Sequence, residues 1–190
     1  MGIINKVRAL NEPSVDYRVL KVSPFGIRSF VRGEEFKTGD MLSLKSSAGI
    51  GYINRDVVTK NIELVDKYKL MCGYLNPDRA GVNNASDGKS SVTTKLTILN
   101  PGEVITETYI ILGTFDSEKE AMNYASYMKT KFVRFLVLQT MTSMHITQAN
   151  YRFVPDLDFS KSWTDKELYE KYKLESPEID YIDLLIREME

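Results

Sequence analysis

The stretch VTTKLTILNPGEVITETYIILGTFDSEKEAMNYASYMKTKFVRFLVL, residues 92–138, decides the fold class, because its apolar period changes once along its length. Val92, Thr94, Leu96 and Ile98 alternate with polar neighbours, the period of a strand that buries one face. Asn100-Pro101-Gly102 is turn chemistry, so a hairpin is expected, with VITETYIILGTF at 104–115 as the returning strand. Ser117 and Glu120 then match the S-x-x-E capping box, in which the serine caps the amide of the third helical residue, and a helix starts at Glu118. Ala121, Met122, Ala125 and Met128 share one face of that helix. Thr130-Lys131-Phe132 marks a turn or kink, and FVRFLVL at 132–138 is apolar almost all round, which predicts the most buried helix.

Reading outward from there, YRVLKV at 17–22 and MLSLKS at 41–46 alternate as strands, the first stopped by Pro24 and Gly26. Gly49 and Gly51 permit a tight turn before Tyr52 and Ile53. Val58, Ile62 and Val65 have helical spacing across 56–69, and LMC at 70–72 returns to the sheet. Residues 76–91, NPDRAGVNNASDGKSS, form a long surface loop, and loops of that length inside a domain tend to be functional or disordered. Thr164 and Glu167 make a second capping box, and Ser176 with Pro177 starts a last helix whose apolar face is Ile179, Ile182, Leu185 and Ile186. Strands first and helices last predict an α+β fold, with a mixed or antiparallel sheet, a buried helical hairpin and C-terminal helices. Residues 1–155 form the main unit, and 156–190 an acidic helical extension packed on it.

Composition narrows the class further. With 43% apolar and 27% charged residues, the chain matches folded globular domains rather than disordered or fibrous ones. It has no apolar run of about 20 residues, and MGIINKVRAL lacks the apolar core of a secretory signal, so no membrane span and no secretion are expected. Cys72 is the single cysteine and His145 the single histidine, which excludes an internal disulfide and structural zinc and points to a reducing cytoplasm.

The net charge of -1 conceals an asymmetry. Residues 1–60 carry ten Lys and Arg against six Asp and Glu, whereas residues 156–190 carry five against eleven. Phosphate binding needs cations clustered on one face, so the basic first half suits nucleic acid and the acidic tail suits a surface turned elsewhere. Arg28, Arg32, Lys45, Arg55, Arg79, Lys89 and Lys95 lie in or beside predicted turns, with Asn83, Asn84, Ser90 and Ser91 as short polar groups. Arg, Asn and Ser can read base edges, and Lys reaches phosphate. The loop at 76–91 is therefore the expected DNA face.

Catalytic patterns are sparse. No phosphate-binding G-x-x-x-x-G-K-S/T loop and no G-x-S-x-G elbow occur, and AGIGY at 48–52 reads as a turn. His145 reads as structural or surface-exposed and Cys72 as an inert packed thiol. Pro77-Asp78 followed by Asp87-x-Lys89 fits the loose PD…D/ExK pattern of magnesium nucleases, in which two acids hold the metal and the lysine supports the attacking water. Both acids fall in a loop, whereas such ligands need rigid elements. A small magnesium nuclease using Asp78, Asp87 and Lys89 is the alternative reading, and a protein-interaction module built on the acidic helices is a third.

Four blocks carry a family resemblance: PFGIR at 24–28, TETY…GTFDSEKEA at 106–121, YMKTKFVRFLV at 127–137, and the closing FVP…DFS…WTD..LY.KY.L. Across roughly residues 15–187 the chain resembles the C-terminal part of bacterial type IIG restriction-modification enzymes, which fuse an endonuclease to an adenine-specific DNA methylase. The family's PLQDF reads PDLDF here at 155–159, and the methylase signature N-P-P-Y/F is missing: Asn76-Pro77-Asp78 and Asn100-Pro101-Gly102 do not match it. The resemblance implies a target-recognition domain without catalysis of its own, binding double-stranded DNA beside the methylase and nuclease domains of a parent chain. It implies no cofactor for this fragment, and S-adenosylmethionine and magnesium for the parent.

Overall fold

The computed structural model describes residues 2–78 and 88–189. Its strands form two three-stranded sheets. In the first, β1 (Leu42–Ser46) pairs antiparallel with β2 (Gly49–Ile53) and parallel with β5 (Glu103–Ile105). In the second, β3 (Tyr68–Gly73) lies between β4 (Thr97–Leu99) and β6 (Tyr109–Phe115), both antiparallel to it. The fold is α+β, with one mixed and one antiparallel sheet, as the sequence implies.

Side-chain alternation along β3 places the two cores. Leu70 and Cys72 face a core shared with the helices, while Met71 faces a second core shared with Leu42, Leu44 and Ile53 of the mixed sheet. Strand β6 obeys the same rule, with Ile110 and Leu112 toward the helices and Ile111 toward the mixed sheet, as period-two geometry requires. The layers are therefore mixed sheet, antiparallel sheet, helices. Burial among apolar neighbours pushes the Cys72 thiol up to about 12, which makes it the inert thiol expected.

The helical layer comprises α1 (Ile3–Arg8), α2 (Glu118–Lys129), α3 (Lys131–Leu138), α4 (Asp165–Lys171) and α5 (Ser176–Leu185). Thr130 alone separates α2 from α3, and its hydroxyl caps α3 by accepting from the Val133 amide. Every residue from Phe132 to Val137 is buried, so this is indeed the most buried helix. Asp165 accepts the first two amides of α3 at 3.0 and 2.8 Å, which ties α4 to α3. On α2, Tyr124 and Tyr127 sandwich Phe159, with ring centroids 4.8 and 5.3 Å away, and their hydroxyls donate to the Leu112 and Pro155 carbonyls. Among the described residues no helix is long and apolar enough to cross a membrane.

Several local expectations are corrected. The segment Val15–Arg18 is a short 3-10 helix rather than the start of a strand, because its backbone is drawn to the 154–156 segment: Val15 N–H donates to Val154 and Arg18 pairs with Asp156 at 2.9 Å. Residues 56–69 do not form a helix. Two 3-10 turns, Arg55–Val57 and Ile62–Leu64, are separated by Asn61 at φ 49°, a left-handed residue that stops helical propagation. Downstream, the fully buried Lys69 ammonium donates to the Val65 and Lys67 carbonyls, each at 2.7 Å, and to Asn100 at 3.3 Å, holding that segment as a loop.

The expected hairpin about Asn100-Pro101-Gly102 does not form either. The turn instead carries the chain from one sheet to the other, so that β4 pairs with β3 while β5 joins β1. Met122 is exposed, because the face of α2 that meets the core is Ala121, Tyr124, Ala125 and Met128. The last helix is capped by Glu175 with Glu178, which moves Pro177 to its second position.

Candidate nucleic-acid interface

Two of the sequence blocks that stand far apart meet in space. In PFGIR, Phe25 and Ile27 enter the core between the sheets, and the Ile27 carbonyl accepts from the Glu107 amide at 3.0 Å. The Glu107 carboxylate, from the TETY block, accepts from the Ser29 amide at 3.0 Å and pairs with Arg28 at 3.2 Å. The Ser29 amide and then the Arg28 guanidinium hold the Glu107 carboxyl below its usual range. PFGIR and TETY are thus one device that fixes the start of the 28–40 loop beside β5.

That loop folds back onto the free edge of β2: Glu34 and Tyr52 exchange both backbone hydrogen bonds, at 2.7 and 2.9 Å. The approach requires glycine at 51, where a Cβ would overlap the Arg32 carbonyl. The register then groups three of the sequence-predicted cations around the mixed sheet. Arg32 lies next to Gly51, which is the partner of Leu44. Lys45 alternates with the buried Leu44 and Ser46, so it stands on the outer face beside Ile50. Arg28 anchors at Glu107, two residues beyond Ile105, the partner of Lys45. Among the described residues Arg32 and Lys45 have no carboxylate partner, and the Arg32 guanidinium donates to the backbone carbonyls of Ser29 and Val31.

The other candidates are scattered. Arg55 lies past the end of β2 and is held bidentately by Asp66, at 2.9 and 2.8 Å, which in turn holds the Asp66 carboxyl low. Lys95 is exposed in the segment before β4. Ser90 is buried, its hydroxyl donated to Asp78 at 2.6 Å, and Lys89 precedes it. Arg79, Asn83, Asn84 and Asp87 lie outside the described residues.

The described end of the 76–91 loop at Ser90 does not stand apart from the acidic tail, as the loop's charge suggests it should. The loop's near end is bonded to the 144–146 segment through Asn76 and Leu75, and its far end pairs with the end of α5, where Ser90 bonds both Leu185 and Arg187. Backbone pairing holds this placement. Asp78 serves the same closure, since its Oδ2 accepts from both Ser90 Oγ and the Val92 amide at 2.6 Å and the residue is 8% exposed. The second acid of the nuclease pattern, Asp87, lies outside the described residues. His145 is exposed, with its ring 4.7 Å from that of Tyr74.

Sequence reasoning missed two features. Phe30 and Phe36 are 75% and 73% exposed in the 28–40 loop, and their flanking charges are the only signal of this in the sequence. Lys21 and Lys60, read as parts of a strand and a helix, stand exposed on irregular segments without a carboxylate partner among the described residues. By contrast, the tail's acids are widely committed. Lys6 pairs with Glu178 at 2.6 Å, Lys131 with Asp183 at 2.7 Å and Glu188 at 2.5 Å, Lys161 with Glu167 at 3.7 Å, and Arg18 with Asp156.

These elements define an α+β chain with an aromatic-bearing loop on a small mixed sheet, the loop carrying Arg28, Arg32 and Lys37 against Glu34, Glu35 and Asp40. No family model and no curated protein matches the sequence.

Proposed function

We propose that the chain is a DNA target-recognition module, non-catalytic by itself, that selects sequence for the adenine methylase and endonuclease of a bacterial parent enzyme. One observation carries the reading: Arg32, in the loop bonded to the free edge of β2, and Lys45, on β1 beside Ile50, have no carboxylate partner among the described residues, and Phe30, Phe36 and Ile50 are exposed, whereas several acids of the tail are tied into the helical layer by ion pairs. Cations without internal partners are available to phosphates, and exposed aromatic side chains can stack on or wedge between bases. Arg28 and Arg32 flank Phe30 and Val31, a spacing suited to phosphate contacts on either side of such a wedge. S-adenosylmethionine and magnesium belong to the parent's other domains on this reading, and the compartment is the bacterial cytoplasm.

Selection from a pool of randomised duplexes tests it. The expected result is enrichment of one short motif, lost when Arg32 and Lys45 are both replaced by alanine. Recovery of no motif, with no duplex retained at low salt, would contradict it.

A further inference from the structure

A second surface is lined by residues outside the 28–40 loop, next to the turn at residues 23–28. Three clefts there run into one another. The cleft at Arg55–Ile62, of about 460 Å³, shares Lys60 and Asn61 with a cleft of about 380 Å³ under residues 19–24. That one shares Leu20, Lys21, Val22 and Gln148 with a third, of about 400 Å³, which reaches Tyr74. The shared residues line neighbouring clefts in series, a groove built on the 20–22 and 60–61 segments.

The groove is held open by specific contacts. Asn61 Nδ2 donates to the Pro24 carbonyl at 2.6 Å, and the Thr59 amide donates to the Phe25 carbonyl at 3.1 Å. Gly26, at φ 74°, lies so close to Thr59 that a Cβ would overlap the threonine hydroxyl. Both Ser23 and Asn61, on the lip, adopt positive φ without being glycine, a costly conformation that persists only where surrounding contacts impose it. The lip is therefore a fixed edge.

Its chemistry divides by height. The rim carries Lys21 and Lys60, both exposed and without a side-chain hydrogen-bond or ion-pair partner among the described residues. Gln148 adds a side-chain amide that bonds none of the described residues, and Asp56 is the one carboxylate among the described residues lining the three clefts. The floor is apolar, built from Leu20, Ile110, Ile146 and the ring of Tyr74. A duplex presents phosphates outward and keeps its bases stacked inside, so it has no use for an apolar floor. An unpaired strand exposes base faces as well as phosphates, and it is bound by a cationic groove with apolar and aromatic surface beneath.

We propose that this groove receives an unpaired stretch of DNA, with phosphates at Lys21 and Lys60 and base faces on the Leu20, Ile146 and Tyr74 floor. The proposal rests on the DNA-binding reading above and adds a second, structurally distinct strand site to it. A recognition module that opens or distorts its target would need such a place for displaced nucleotides.

Fluorescence anisotropy with a labelled short oligothymidylate and, separately, a labelled mixed-sequence duplex distinguishes the two sites. Lys21→Ala with Lys60→Ala should weaken oligothymidylate binding about tenfold at low salt, since two phosphate contacts are lost, and should leave duplex affinity within about twofold. Tyr74→Ala should weaken oligothymidylate binding by about five- to a hundredfold through lost stacking. Both lysines are exposed, so the melting curve of the double variant should match that of the unaltered chain. Duplex binding without oligothymidylate binding would overturn the groove and leave the duplex reading intact. Oligothymidylate binding indifferent to all three substitutions would place the strand elsewhere and overturn it too, and binding of neither probe would overturn both proposals.

Discussion

The helical layer and the mixed-sheet side use their charged and aromatic residues in opposite ways. In the helical layer many such groups serve the fold: Tyr124, Tyr127 and Phe159 contact one another, Asp165 holds the first amides of α3, and Lys6 and Lys131 pair with Glu178, Asp183 and Glu188 of the tail. On the sheet side Arg32 and Lys45 meet no carboxylate among the described residues, and Phe30 and Phe36 are exposed. An aromatic side chain left in water forgoes the burial that would stabilise the fold, so its retention points to a contact made outside the chain. The comparison separates residues that build the molecule from residues left available to a partner. The blocks GTFDSEKEA, YMKTKFVRFLV and FVP…DFS belong to the first group, and only PFGIR with TETY reaches toward the second.

The contrast can be broken by substitution, beginning where the effect is greatest. Tyr127→Ala should cost about 3–5 kcal/mol in urea denaturation, because it empties a fully buried ring site and removes the donor to Pro155. Asp165→Ala should cost about 1–2 kcal/mol, the usual range for removing an acceptor from helix N-terminal amides, here one supplied by another helix. Lys69 gives a pH signature. Burial lowers its ammonium to about 8, against the opposing pull of the Glu103 and Asp66 carboxylates. Between about 8 and the ordinary lysine value the unfolded chain holds a proton that the folded chain has released, so stability should rise with pH across that window, and Lys69→Met should abolish the rise. At the small end, Arg32→Ala with Lys45→Ala should change stability by less than about 0.5 kcal/mol. A large loss there would show that the sheet-side cations are structural, and the two regions would no longer differ.

The helical half was legible in the sequence because its signals are local. Ser117, Thr130 and Thr164 cap their helices within three residues, and the unbroken apolar run at 132–138 marks burial from every side. The sheet half was less legible because its pairing is nonlocal. Nothing near Asn100-Pro101-Gly102 distinguishes a hairpin turn from a crossing between sheets, since the deciding partner of β5 is β1, about 60 residues earlier. Helical spacing at 56–69 was overridden by Asn61 and by the carbonyls gathered around Lys69. For the candidate site, residue type singled out Arg28, Arg32 and Lys45, and backbone pairing places each on or beside the mixed sheet, Lys45 on β1, Arg32 at Gly51 and Arg28 at Glu107. Lys21 and Lys60 escaped notice because regular elements were assigned where the chain is irregular.

The most direct test of the account is the salt dependence of duplex binding, measured on the unaltered chain and on two sets of substitutions. If the sheet-side cations contact phosphates, log affinity should fall linearly with log salt, with a slope of about -0.9 per phosphate neutralised. Arg32→Ala with Lys45→Ala should reduce the magnitude of that slope by about two such steps, whereas Lys166→Ala with Lys173→Ala in the tail should leave it unchanged. A flat salt response in the unaltered chain, or a slope that follows the tail lysines and ignores Arg32 and Lys45, would contradict it.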